Sequence, residues 1–296
     1  MNILNLEGLK AVGQVAPNTI INADCLEAMK YIADKSIDCI ICDLPYGITA
    51  CKWDTVIPFE PLWEQYKRII KPRGAIALFG SQPFTSALVI SNPRWFKYEW
   101  IWKKNKPSGA LIANKRPMRN HETILIFYSS QPTFNKILEQ RECNEASKKR
   151  LEYEMAGFCG SNTYQTIKKQ KAKYDPLLRN PTTVKSFSLV PNPLRIHPTQ
   201  KPVALIEYLI KTYTLTGELI LDNTAGSGTL AIAAINTDRN YICIEKDEHY
   251  FEVMRDRIES HNPDAVKPKP KSKSRKETVS DEYIQLSLFN DCLGRL

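Results

Sequence analysis

Short β-branched runs alternate with helical stretches along most of this chain, and that alternation points to a mostly parallel sheet with helices packed on its faces. Residues 19–22 (Thr-Ile-Ile-Asn) read as a short strand ending near Asp24, and residues 26–33 as a short helix with Leu26, Met29 and Ile32 on its apolar side. Residues 39–42 form the next expected strand, which runs into Asp43-Leu44-Pro45-Tyr46-Gly47. A helix is expected over 61–70, stopped by Pro72 and Gly74, and a third strand over 75–79. Residues 96–102 and 123–128 read as two further strands joined by a basic loop. The stretch 131–195 is polar and lysine-rich, with few strand-like runs. Beyond it the pattern resumes with a helix over 203–213 behind Pro202, a strand over 219–222, a glycine-bearing turn, a helix starting at Thr229, a strand over 241–245 and a helix to about Ser260.

Composition sets looser bounds. The 296 residues are 43% hydrophobic and 25% charged, ordinary for a soluble globular protein and enough for one large α/β domain with an insertion. The formal charge of +9 suits a polyanionic partner, because Lys and Arg that neutralise phosphates release condensed counterions, although a basic surface also serves solubility. No apolar run is long enough to span a bilayer, and residues 1–17 lack the charged start and apolar core of a signal peptide. The expected location is the cytoplasm, without membrane contact, with the eight cysteines reduced. Cys39 and Cys42 form a C-x-x-C, but on a strand positions three apart point to opposite faces, so no metal is expected there.

Two segments carry chemistry. Asp222-Asn223-Thr224-Ala225-Gly226-Ser227-Gly228-Thr229 joins a strand to a helix; glycines there let a ligand approach the backbone, and the helix start offers unpaired N–H groups. Glu245 ends the following strand, where a carboxylate is placed to accept hydrogen bonds from two ribose hydroxyls. Gly226-x-Gly228-x-x-Ala231 also fits a dinucleotide fingerprint, and a tight turn with no ligand is the plain alternative. Two features argue against a nicotinamide cofactor. The turn lies late in the chain, after a near-complete set of strands, and Asp222 suits a cofactor amino group better than a pyrophosphate.

The second segment is Asp43-Leu44-Pro45-Tyr46. The lone pair of a base amino nitrogen is delocalised into the ring and is a poor nucleophile. Acceptors on the amino hydrogens pull the group toward tetrahedral geometry; Asp43 supplies one and a nearby backbone carbonyl another. Pro45 stiffens the loop, and Tyr46 stacks on a base taken out of the helix. This run resembles the D/N/S-P-P-Y signature of the amino-methyltransferase family of DNA modification enzymes, with Leu44 at the position where Pro is usual. That position acts in the family through its backbone carbonyl. A first-position Asp favours adenine N6 over cytosine N4.

The resemblance covers about residues 18–260. It implies a Rossmann-like α/β fold, a circularly permuted seven-stranded sheet in which the strands before Asp43 and Asp222 are neighbours. It also implies the β-type order of a catalytic half (1–130), an inserted target-recognition region (131–195) and a cofactor-binding half (196–262). S-adenosyl-L-methionine is the implied cofactor. Its implied contacts are Asp24 with Cys25 beside its adenine, and Asp43; His197, Thr199, Gln200 and Lys201 at its methionine end; the turn residues Asp222, Thr224, Ala225, Gly226, Ser227, Gly228 and Thr229; and Glu245 with Lys246. RNA and protein-glutamine methyltransferases share a similar signature, but their cofactor loop normally precedes it.

Double-stranded DNA is the implied substrate. Lys103, Lys104 and Lys106, in the expected loop after the strand, and Lys115, Arg116 and Arg119 are the phosphate candidates, whereas Tyr98, Trp100 and Trp102 alternate as core residues do. After a Lys/Pro/Ser linker (263–276), Gln285-Leu286-Ser287-Leu288-Phe289 resembles the pentapeptide that binds the bacterial sliding clamp, with Gln285, Leu286, Leu288 and Phe289 as contacts. A homodimer is compatible with this reading. The alternatives in view are an N4-cytosine enzyme on the same scaffold and a non-catalytic DNA-binding protein that keeps the fold.

Overall fold

In the computed structural model, described for residues 1–47, 54–140 and 178–262, the strands assemble into a nine-stranded sheet with helices on both faces. The chain order is β1 (Asn2–Asn5), α1 (Leu6–Val12), β2 (Thr19–Asn22), α2 (Cys25–Met29), β3 (Ile37–Cys42), α3 (Phe59–Ile69), β4 (Ile70–Gly80), α4 (Phe84–Ser91), β5 (Phe96–Ser108) and β6 (Arg119–Phe127). Then follow β7 (Glu139–Gln140), β8 (Leu178–Arg179), β9 (Val184–Ser186), α5 (Val203–Tyr213), β10 (Leu219–Asp222), α6 (Thr229–Asn236), β11 (Asn240–Glu245) and α7 (Glu248–Glu259). Across the sheet the order is β1-β2-β11-β10-β3-β4-β6-β5-β9. The inner seven strands are those the sequence predicts; β1 and β9 add one edge strand each. Pairing is parallel from β1 to β4, while β6 is antiparallel to both β4 and β5.

Strand alternation builds the two core layers. Cys39 and Ile41 face a layer shared with Leu205, Leu209 and Leu230, whereas Ile40 and Cys42 face one shared with Leu9, Met29, Leu62 and Leu88. Cys39 and Cys42 therefore point apart, as strand geometry requires. α3 shows how the sequence makes such a layer: Leu62, Trp63, Tyr66 and Ile69 recur at helical spacing and are buried, Glu60 lies in the first turn, and Lys67 and Arg68 lie in the last. Trp100 and Trp102 are buried and Tyr98 half-buried, the core role expected of them; Trp100 Nε1 donates to Tyr213 Oη at 2.6 Å.

Two expectations need correction. β5 does not stop at Trp102 but continues to Ser108, paired with β6 back to Arg119, so Lys103, Lys104 and Lys106 lie on a strand rather than in a loop. The described flanks of the 131–195 stretch are not strand-poor. β7 pairs with β8, β9 adds to the main sheet beside β5, and Trp102 Nε1 donates to the Phe187 carbonyl at 2.8 Å. The lysines at 148–173 and the clamp-like segment at 285–289 lie outside the described residues. Met1–His261 form one compact unit. No described helix is long and apolar enough to cross a membrane.

Candidate active site

β3 and β10 lie side by side, with Ile220 opposite Cys39 and Leu221 opposite Ile40, so their carboxyl ends deliver Asp43 and Asp222 to one place. Thr224 Oγ1 donates to the Asp43 carbonyl at 3.1 Å and ties the two segments together across 181 residues of sequence. Open α/β sheets bind ligands at this kind of strand end. Here it opens into a cavity of about 520 Å³, well sized for a nucleoside-bearing cofactor.

One side of the cavity is a cradle of carboxylates and backbone. Asp24 caps α2, accepting from the Leu26 N–H at 3.0 Å, and its other oxygen lies 3.1 Å from Lys246 Nζ. Glu245, at the end of β11, accepts from the Gly226 N–H at 2.7 Å and the Asp247 N–H at 2.8 Å. Burial raises its carboxyl despite these bonds. Asp222 is buried and accepts from the Thr224 N–H at 3.1 Å; burial pushes its carboxyl up to about 7. Gly226 has φ +52°, and a Cβ there would lie 3.4 Å from His197 Nε2, so glycine keeps the turn open beneath the histidine ring. His197 packs against Tyr250 with ring centroids 4.2 Å apart, and its Nδ1 accepts from the Thr199 N–H at 3.2 Å. Burial, reinforced by Lys201, lowers its pKa to about 4, so the ring is neutral at pH 7.

The other side holds the charged chemistry. Lys201 Nζ donates to Asp43 Oδ2 and lies 3.5 Å from Glu122 Oε2. Tyr46 Oη donates to Asp43 Oδ1 at 2.6 Å, and its ring stacks on Phe84 with centroids 5.0 Å apart. Burial raises the Asp43 carboxyl against the pull of Lys201. For Lys201 burial acts the other way, but Asp43 and Glu122 outweigh it and hold the ammonium above its usual pKa. The loop bearing Tyr46 is closed by Asp54 Oδ1, which accepts from the Gly47 N–H at 2.9 Å.

The cavity is lined by Asp24, Cys25, Asp43, Pro45, His197, Thr199, Gln200, Lys201, Asp222, Thr224, Ala225, Gly226, Ser227, Thr229, Glu245 and Lys246, all singled out from sequence. Three expected members stand elsewhere. Leu44 is buried in the core beneath the loop, and Tyr46 lies beside the cavity rather than in its wall. Gly228 is not a lining residue: it starts α6 at φ +73°, and a Cβ there would lie 2.6 Å from Met254 Cγ, so its lack of a side chain serves the contact between α6 and α7. Gly228→Ala should therefore lower stability by roughly 1–3 kcal/mol, read as a fall in Tm, with the cavity wall left intact. An unchanged Tm would refute this packing role. Among the phosphate candidates, Lys103, Lys106, Lys115 and Arg116 are exposed and Arg119 half-buried. Lys104 instead pairs with Glu122, its side chain only 12% exposed.

Sequence reasoning missed Glu122, Phe79, Asn223 and Tyr250. Glu122 left a signal: on β6 it is in phase with buried Ile124 and Ile126, so an acid occupies a core-facing position. Tyr250 left none, because it reaches His197 only through the tertiary fold.

A family model described as DNA methylase, covering N6 and N4 amino-methyltransferases, matches residues 37–256. The chain belongs to this family. The Type II methyltransferase M.HinfI of Haemophilus influenzae is 26% identical over 283 residues, covering 86% of this chain and 70% of that protein. Two solved structures share the fold. The M1.HpyAVI–SAM complex has TM-score 0.52 and 20% identity, over 80% of this chain and 97% of that one. The PvuII cytosine-N4-specific DNA methyltransferase has TM-score 0.57 and 14% identity, over 94% and 93%. The order of segments in this DNA methyltransferase, catalytic loop first and glycine turn late, is the order the sequence implies.

Proposed function

We propose that this DNA methyltransferase uses S-adenosylmethionine to methylate the N6 amino group of adenine in DNA, with the base taken out of the duplex. The observation that carries the reading is the meeting of Asp43 and the Asp222–Thr229 turn at one cavity. The residues fit the cofactor. Glu245 and Asp24 are carboxylates suited to ribose and adenine donors, Asp222 to the methionine amino group, and Gly226 and His197 leave a slot between turn and ring. The cofactor supplies an electrophilic methyl group.

Asp43 does the rest of the chemistry in this reading. Its carboxylate accepts an amino hydrogen of the target and frees the nitrogen lone pair for in-line attack. Positioning and preorganised charge then carry the rate. The nitrogen sheds a proton on alkylation, and Asp43, its affinity for protons raised by burial, is the nearest carboxylate to take it on its way to solvent. The neutral His197 adds no positive charge beside the positively charged cofactor. Exposed Lys103 and Lys106 on β5, Lys115 and Arg116 in the connection between β5 and β6, and Arg119 at the start of β6 hold phosphates.

The test is transfer of labelled methyl to unmethylated DNA, followed by nucleoside analysis, with Asp43→Ala as control. N6-methyladenine from the wild type, lost in the variant, is the expected result. N4-methylcytosine would keep the mechanism and change the base; label in neither nucleoside would overturn the reading.

A further inference from the structure

Four charges form an unbranched chain beside the cavity: Asp43, Lys201, Glu122, Lys104. Lys104 Nζ donates to Glu122 Oε1, and Lys201 Nζ donates to Asp43 Oδ2. Glu122 Oε2 is buried and has no hydrogen-bond partner among the described residues, yet it lies 3.5 Å from Lys201 Nζ. A buried carboxylate oxygen without a donor is costly, and its persistence calls for a reason. Burial alone would raise the Glu122 carboxyl, but Lys201 and Lys104 together outweigh burial and hold it below the usual range, so it stays ionised.

Asp43 is the opposite case, because both its oxygens are in use. Tyr46 Oη holds Oδ1 and Lys201 Nζ holds Oδ2. Each oxygen keeps a further lone pair, but Lys201 lines the cavity beside Asp43 and Tyr46 does not, so a base amino group approaching from the cavity competes with Lys201 for Oδ2. Tyr46 is fixed by its stack on Phe84, whereas Lys201 already has a second carboxylate within reach. Each ammonium offers three donors, and moving one by about a bond length leaves the four charges balanced.

We infer that Glu122 is a positioning residue that takes over the Lys201 ammonium when the target amino group occupies Asp43 Oδ2. Before the base arrives, Lys201 is bound to Asp43 Oδ2. Once the base is in place, Lys201 sits between Glu122 Oε2 and the site edge, and the Asp43 carboxylate faces the amino group. Lys104 stays on Oε1 throughout and keeps Glu122 charged. No bond is made or broken in the exchange. The inference rests on the amino-methyltransferase reading above.

Glu122→Gln removes the receiving charge and leaves Lys201 bound to Asp43. On unmethylated DNA, kcat for methyl transfer should fall at least tenfold, while the cofactor Kd of the DNA-free protein, measured by calorimetry, stays within twofold. Adding Lys201→Met to Glu122→Gln removes the blocking ammonium, and kcat should rise at least threefold above that of the single variant. A merely structural Glu122 would give a double variant no faster than the single one. That result, or a Glu122→Gln enzyme at the wild-type rate, overturns the exchange while the wild type remains an active methyltransferase. A wild type that transfers no methyl to DNA overturns the exchange together with the function on which it rests.

Discussion

Asp43→Asn should lower kcat for methyl transfer by about 10²–10³-fold, the usual loss when one preorganised charge is removed from a reacting centre. The substitution preserves shape and keeps one acceptor oxygen, so it isolates the negative charge. Cofactor Kd should change little, because the cradle of Asp24, Glu245 and Gly226 is formed by other segments. The same change takes from Lys201 its shorter-range partner and leaves it Glu122 at 3.5 Å. Breaking a buried ion pair costs stability on the order of 3–5 kcal/mol when nothing replaces the partner; Glu122 should hold the loss below that. Rate and Tm measured on the same preparation separate the two effects. A kcat within threefold of wild type would remove Asp43 from the chemistry.

The second large effect is a pH dependence set by Asp222. Burial lifts its carboxyl from the ordinary aspartate value of 3.8 to about 7. A pKa raised in the folded state means that the native protein binds the proton more tightly than the unfolded chain. The stabilisation is complete below about pH 4 and is lost as pH rises through 7. That difference amounts to on the order of 4 kcal/mol for the ligand-free protein. Asp222→Asn has no such proton to lose. Its Tm should gain on the wild type between pH 5 and 8. Cofactor binding should run the other way. If the ionised carboxylate receives the cofactor amino group, affinity rises with pH, approaching tenfold per unit below pH 7 and flattening above it. Asp222→Asn should abolish that slope. A wild-type Kd constant from pH 5.5 to 8 would show that Asp222 takes no part in holding the cofactor's charge.

Most of the fold was legible because the central strands obey a simple rule. Residues 19–22, 203–213 and 219–222 have the bounds that the sequence predicts, each being a β-branched or amphipathic run between clear breakers. α4 was not legible. Its Phe-Thr-Ser-Ala-Leu-Val-Ile-Ser is apolar nearly all round and partly β-branched, so neither period stands out, and only packing decides for helix. α1 was missed although it carries both caps, Asn5 accepting from the Gly8 N–H and Gly13 at φ 72°. The cavity wall was legible where residues cluster in motifs. Glu122 and Tyr250 are single side chains, and their meaning lies in partners 79 and 53 residues away, Lys201 and His197. The error over Lys104 has the same root: a lysine in a basic run reads as a phosphate contact until its buried acid is known.

The adjacency of β3 and β10 has a consequence for synthesis. β3 leaves the ribosome long before its neighbour, and at 5–20 residues per second the intervening stretch takes on the order of 10–40 s to make. During that interval the edge of β3 that β10 pairs with in the finished sheet has no strand beside it. Neither carboxylate of the Asp43 and Asp222 pair has its final surroundings until the last quarter of the described fold exists. The site is therefore complete only when β10 and, after it, β11 with Glu245 have joined the sheet.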